Sequence, residues 1–240
     1  MKFPSTRIGL LAPPPNIVME VEFPRFLPKD VSLHTARVPR SSSEVTRESL
    51  SEMTTNVEVA ARCLAMTKPH LIVFGCTSAS FLNGLGWDRQ LTQRIEAVTG
   101  IPAITTTTAI VEAIKAVSGK KVLLVTPYID DINKTEIEFL EGSGFTVVNL
   151  VTFGLKLSEE IAAVPSEHVR EVVLSSAANA KNADAIFISC TNLRTMDQID
   201  ALEEVLDRPV VTSNQATIWL AVRRLGIKPA EAAGRLLRPV

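Results

Sequence analysis

Two stretches of this 240-residue chain repeat each other at a fixed distance. Ile8-Gly9-Leu10-Leu11-Ala12-Pro13 matches Val122-Leu123-Leu124-Val125-Thr126-Pro127, a shift of 114 positions from residue 8 to residue 122. His70-Leu71-Ile72-Val73-Phe74-Gly75-Cys76-Thr77 matches Asp184-Ala185-Ile186-Phe187-Ile188-Ser189-Cys190-Thr191, and Cys76 to Cys190 is again 114. A third pair, Pro102-Ala103-Ile104-Thr105 and Pro209-Val210-Val211-Thr212, keeps the order at an offset of 107. A shared offset between separated strand-like runs implies a duplicated unit. The chain reads as residues 1–115 and residues 116–213, two halves about a pseudo-twofold axis, with the region 214–240 available to complete the first.

Within each half, short β-branched runs alternate with longer stretches of helical period, the pattern of βα units in parallel sheets. Strands are expected near 7–12, 32–38, 70–75, 102–106, 120–126, 145–152, 184–189 and 208–212. Helices are expected over 45–66, 88–98, 107–117, 130–142, 166–181, 195–206 and 214–225. The fold class that follows is α/β, two Rossmann-like halves with the functional site in the cleft between them.

Composition narrows the partners. Lys plus Arg number 25 against 26 Asp plus Glu, so no basic face is offered to nucleic acid or acidic lipid, and a small molecule is the expected ligand. The first residues hold Lys2 and Arg7, but the apolar run Ile8 to Ala12 is too short for a signal core or a membrane span. Three cysteines, an odd number in a long chain, fit a reducing cytoplasm, and self-association is compatible with the sequence. No C-x-x-C occurs, the three histidines are scattered, and neither G-x-G-x-x-G nor a Walker motif is present, so no metal or organic cofactor is expected.

In open parallel sheets ligands bind beyond the carboxyl ends of strands, which is where Cys76 and Cys190 fall. Thr77-Ser78 and Thr191-Asn192 follow them, supplying hydroxyl, amide and backbone N–H donors for a carboxylate or enolate oxygen. Such turns are expected to lower a thiol pKa. Across a pseudo-twofold the two thiols would flank one bound molecule. Cys63, beside Leu64 and Met66 in a helical stretch, is expected to be a buried hydrophobe.

These residues resemble the maleate cis-trans isomerase and arylmalonate decarboxylase branch of the aspartate/glutamate racemase superfamily, over nearly the whole chain. The resemblance to the isomerase implies Cys76 and Cys190 as catalytic cysteines, Asn16 and Tyr128 as substrate-binding residues, and a cofactor-free reaction. Tyr128-Ile129-Asp130-Asp131-Ile132-Asn133, Thr77-Ser78-Ala79-Ser80-Phe81 and Pro13-Pro14 are more similar to the decarboxylase, which implies Pro14, Thr77, Ser78 and Tyr128 at the carboxylate pocket. That enzyme has Gly where this chain has Cys76. Ser158, in turn, stands where the isomerase has a second carboxylate-binding Asn.

The sequence therefore points to isomerisation of a small carboxylate or dicarboxylate by two cysteines, cis-trans or racemase-like. A decarboxylase protonating through Cys190 and a non-catalytic carboxylate binder are the alternatives. Thr191 and Asn192 complete the expected cradle. Asn16 can also cap a helix starting near Val18. Glu20 and Glu22 read as a solvated face or interface, Trp87 and Trp219 as packing, and Arg194 as a surface ion pair or an anion anchor.

Overall fold

The computed structural model describes residues 4–238. Residues 1–3, Lys2 among them, and residues 239–240, which the expected halves include, lie outside the described residues. The first half runs β1 (Thr6–Ala12), α1 (Met19–Phe26), β2 (Val31–Arg37), α2 (Arg47–Thr55), α3 (Val57–Ala65), β3 (Leu71–Phe74), α4 (Thr77–Phe81), α5 (Trp87–Thr99), β4 (Ala103–Thr105) and α6 (Thr106–Ala116). The second runs β5 (Lys121–Thr126), α7 (Asp130–Gly142), β6 (Thr146–Thr152), α8 (Ser158–Ala163), α9 (Ser166–Ala177), β7 (Ala185–Ile188), α10 (Ile199–Leu206), β8 (Val210–Thr212), α11 (Ser213–Arg224) and α12 (Gly234–Leu237).

Each half holds a four-stranded parallel sheet, ordered β2-β1-β3-β4 in one and β6-β5-β7-β8 in the other. The repeat holds in register. Ile8 pairs with Leu71 and Val122 with Ala185, each shifted by 114, while Ala103 beside Ile72 becomes Val210 beside Ile186, a shift of 107. β6 departs from the pattern through an irregularity at Val122/Leu123. The inner strands β3 and β7 are apolar and buried along their length, as expected of parallel strands covered on both faces.

The equivalent helices α6 and α11 pack on each other between the sheets, and α11 also touches β3 and α1 of the first half. Thr217 Oγ1 donates to Thr106 Oγ1 across this contact at 3.2 Å. The expected helix over 45–66 is broken at Asn56, which caps α2 through bonds to Glu52 O and Met53 O. The stretch 195–206 becomes helical only at Ile199.

Gly75, between β3 and Cys76, lies where backbone and core approach closely: a Cβ there would sit 2.6 Å from Met19 Sδ and 2.7 Å from Leu10 Cδ1. Gly75→Ala is expected to destabilise the protein by about 1–3 kcal/mol through overpacking. Urea unfolding checks this, and an unchanged midpoint contradicts it.

Candidate active site

In both sheets the strand order reverses, between β1 and β3 and between β5 and β7. The loops leaving those strands diverge and open a crevice at the carboxyl ends. Both crevices contribute to one cleft. It is lined by Pro13, Pro15 and Asn16 after β1, by Cys76, Thr77 and Ser78 after β3, by Tyr128 after β5, and by Cys190, Thr191 and Asn192 after β7. Arg40, Val45, Leu50, Ser158 and Ile161 close it. The free volume of the cleft is about 30 Å³. Its walls are strapped together: Val45 N donates to Lys156 O at 2.7 Å and Ser158 N to Ser43 O at 3.1 Å, on either side of an antiparallel Glu44–Leu157 bridge.

Of the residues expected at the site, only Pro14 is turned away from the cleft. Asn16 N bonds Pro13 O at 3.1 Å, closing a tight turn whose corner is Pro14, so its neighbours Pro13 and Pro15 face inward instead. Asn16 takes both roles open to it: Oδ1 accepts from Val18 N and Met19 N at 3.1 Å, which caps α1, and Nδ2 donates to Thr191 Oγ1 at 3.0 Å. Thr191 Oγ1 donates in turn to Gly75 O in the other half at 3.2 Å. Asn192 Oδ1 accepts from Ile17 N at 3.0 Å and its Nδ2 donates to Ser158 O at 2.9 Å. Ser213 Oγ accepts from both cysteine loops, from Thr77 Oγ1 and from Cys190 N, each at 3.0 Å.

The two cysteines are equivalent in sequence and different in backbone. Cys76 caps α4 with an ordinary extended φ of −142°, and its sulfur lies 3.7 Å from Ser78 Oγ. Cys190 has φ 95°, in the left-handed region that favours glycine, and its sulfur accepts from Asn192 N at 3.4 Å. Burial raises both thiol pKa values, Cys190 to about 12, which reverses the lowering expected from the strand-end turns. The donors are in place, but desolvation outweighs them. At Cys76 the opposing influences are the Ala79 amide, the Arg40 cation and Ser78; at Cys190 they are the Asn192 amide and the Tyr128 hydroxyl. Burial also pushes the Tyr128 phenol well up.

Three charged groups lie at or behind the cleft, and two of them, Arg40 and Glu136, escaped the sequence reading. Arg40 lines it. Glu136 on α7 is buried, its Oε1 accepting from Ser189 Oγ at 2.6 Å and its Oε2 without a partner, and burial raises its pKa to about 8. Glu22, expected on a solvated face or an interface, lies at an interface: it accepts from Asn214 Nδ2 at 2.5 Å and from the amides of Thr195 and Met196, and burial raises it to about 7. Asn214 also bonds Thr191 O, so Glu22 braces the Cys190 loop. No local pattern marks Glu136 or Glu22, because their side-chain partners lie 53 to 192 positions away. Arg194 lies outside the cleft, exposed and bonded to Val164 O, and Cys63 is exposed on α3, its sulfur turned away from the core that Leu64 enters. Among the described residues no group of three or more His, Cys, Asp or Glu side chains is placed to hold a metal ion, and no helix is long and apolar enough to cross a membrane.

The family model described as arylmalonate decarboxylase matches residues 8–237. The chain belongs to the arylmalonate decarboxylase family. Within it, the chain is 29% identical to the arylmalonate decarboxylase of Bordetella bronchiseptica over 95% of each protein. It is 27% identical to the maleate isomerase of Nocardia farcinica, over 97% of this chain and 95% of the relative. In structure it superposes on the maleate isomerase Iso of Pseudomonas putida S16, a cysteine-to-alanine variant with maleate, at TM-score 0.90 and 23% identity over 97% of each chain. It superposes at TM-score 0.88 on a liganded arylmalonate decarboxylase variant carrying a glycine-to-cysteine and a cysteine-to-serine change, with 28% identity over 97% of this chain and 98% of that one. It does so equally on a Nocardia farcinica maleate isomerase variant with a covalently bound succinylcysteine intermediate, at 24% identity over 97% and 98%. The relatives and structural neighbours are enzymes.

Glu136 makes the stability of the fold pH-dependent. Its folded pKa, about 8, is above the ordinary carboxylate value of 4.5, so the native state binds the proton more tightly than the unfolded chain. Stability is full below pH 4.5 and falls as pH rises through 8, by at most about 1.4 kcal/mol per pH unit from this group. Glu136→Gln keeps an acceptor for Ser189 and removes the titration. Denaturation between pH 5 and 8 is expected to show a shallower decline in the variant than in the parent; parallel slopes contradict a protonated Glu136.

Proposed function

We propose that the protein is a cofactor-independent isomerase of a small carboxylate, working through Cys76 and Cys190. The observation that carries this reading is that both thiols line one desolvated cleft furnished with hydroxyl, amide and backbone donors. Burial raises both thiols, but the Arg40 cation and the helix-cap amides oppose it at Cys76, so Cys76 is the thiol that gives up its proton to water and acts as the nucleophile. Cys190, held protonated by burial, is the acid.

The thiolate of Cys76 adds to an alkene carbon β to the carboxylate, forming a C–S bond as the π electrons move onto the carboxylate as an enediolate. Asn16, Thr77, Ser78, Tyr128, Thr191 and Asn192 are the donors proposed to hold that oxygen pair. The Cys190 thiol passes its proton to the adjacent carbon. Rotation follows about what is now a single bond. The Cys190 thiolate then takes a proton back, the C–S bond breaks and Cys76 leaves as thiolate, releasing the other geometric isomer. The succinylcysteine intermediate of the Nocardia relative is the kind of adduct this addition produces, which supports the reading. A second reading, decarboxylation with Cys190 alone as proton donor, is favoured by the family match and by the Bordetella relative.

Proton NMR in D₂O with maleate, amino-acid enantiomers and arylmalonates separates the readings, because isomerisation, α-exchange and loss of CO₂ leave different spectra. Conversion of the alkene diacid is expected. Cys76→Gly is expected to abolish it, and Cys190→Ala to lower kcat/KM by about 10²–10⁴, the usual contribution of a positioned acid. Full isomerase activity in Cys76→Gly rejects the two-thiol mechanism. CO₂ loss from an arylmalonate that survives Cys76→Gly, with no isomerisation by the parent, establishes the decarboxylase reading in its place.

A further inference from the structure

The loop after β2 carries a cation into the cleft, and the protein uses only one side of it. Arg40 Nη2 donates to Ser158 Oγ at 2.9 Å and to Ser43 O at 3.2 Å. Ser158 Oγ donates to the same Ser43 carbonyl at 2.7 Å, so its hydroxyl serves as a bracket for the guanidinium rather than as a donor to a ligand. Arg40 Nε is buried with no hydrogen-bond partner. A buried N–H of a charged group left without an acceptor is costly, and a native site that keeps one calls for an explanation. Burial lowers the Arg40 pKa, so this guanidinium gains from an anion placed beside it. The guanidinium thus lines the reacting centre, fixed in orientation, with an open N–H and no carboxylate of its own chain in ion-pair contact among the described residues.

We infer that Arg40 is a further substrate-anchoring residue that sets specificity, its unpartnered N–H receiving a second anionic group of the substrate. The planar fork of a guanidinium matches a carboxylate in shape as well as charge. The hydroxyl and amide cradle of Asn16, Tyr128 and Thr191 serves one carboxylate; Arg40 serves another. A diacid then satisfies every donor in the closed cleft, while a monoacid of the same length leaves a buried cation unpaired. The inference rests on the small-carboxylate reading above, and it predicts discrimination in binding alone.

The test is isothermal titration of the full-length protein with succinate and with butyrate, a diacid and a monoacid of equal length that need not be turned over to be read. The parent is expected to bind succinate at least about tenfold more tightly than butyrate, the scale of one charge-assisted hydrogen-bonded contact. Arg40→Met is expected to lose that preference by weakening succinate about tenfold or more while butyrate binding stays within about threefold. Arg40→Lys, which keeps the charge without the fork, should recover part of the preference. If Arg40→Met binds neither acid because the bracket to Ser43 and Ser158 has collapsed, Arg40→Lys decides: butyrate binding like the parent's with a reduced preference supports the inference, and loss of both acids makes the position merely structural. An unchanged preference in Arg40→Met, or a parent that binds the two acids equally or neither, overturns it. Because no turnover enters, failure of the isomerase reading is seen separately, in the alkene conversion.

Discussion

A parallel sheet leaves its last carbonyls and amides without ladder partners at the strand ends, and in this protein side chains of the second half supply partners to groups of both halves. Thr191 reaches across to Gly75 O, Asn192 takes the Ile17 amide, and Ser213 accepts from Thr77 and Cys190 together. Separating the halves would orphan these groups in a buried setting. The cleft is therefore the seam that holds the duplicated fold together, and the loops that carry the thiols are among its structural members.

That arrangement explains why both thiols resist ionisation. Several side-chain donors of the strand-end turns are engaged in stitching the halves, and the amides that reach the sulfurs do not offset their burial. Desolvation then dominates. What distinguishes the two sulfurs is the remaining electrostatics: a cation and helix-cap amides around Cys76, a phenol, one amide and a buried carboxyl group around Cys190. The proposed division into nucleophile and acid rests on this difference in position, although the sequence around each is nearly the same.

Much of this was legible in the sequence because it depends on local period and on the repeat. The eight strands, the order of βα units and the placing of Cys76 and Cys190 beyond β3 and β7 follow from apolar runs and one offset. Thr191 and Asn192 were reachable as strand-end residues, and Asn16 and Tyr128 through the resemblance to the isomerase. The misses have a common cause. The break at Asn56 depends on how α2 and α3 each pack; the exposure of Cys63 depends on which face of α3 meets α5 and β1. Glu22, Glu136 and Arg40 gain their character from partners brought near only by the fold. The direction of the thiol shift failed likewise, since local donors can be read from a turn but the depth of burial cannot.

Cys190 sits at φ 95°, a conformation that costs a side-chain-bearing residue on the order of 1–3 kcal/mol and costs glycine almost nothing. Its counterpart in the first half bears no such strain. Glycine at this position would relieve the strain and remove the thiol proposed as the acid. Selection for stability alone would therefore run against keeping a side chain at this position, whereas the equivalent position in the first half is under no such pressure.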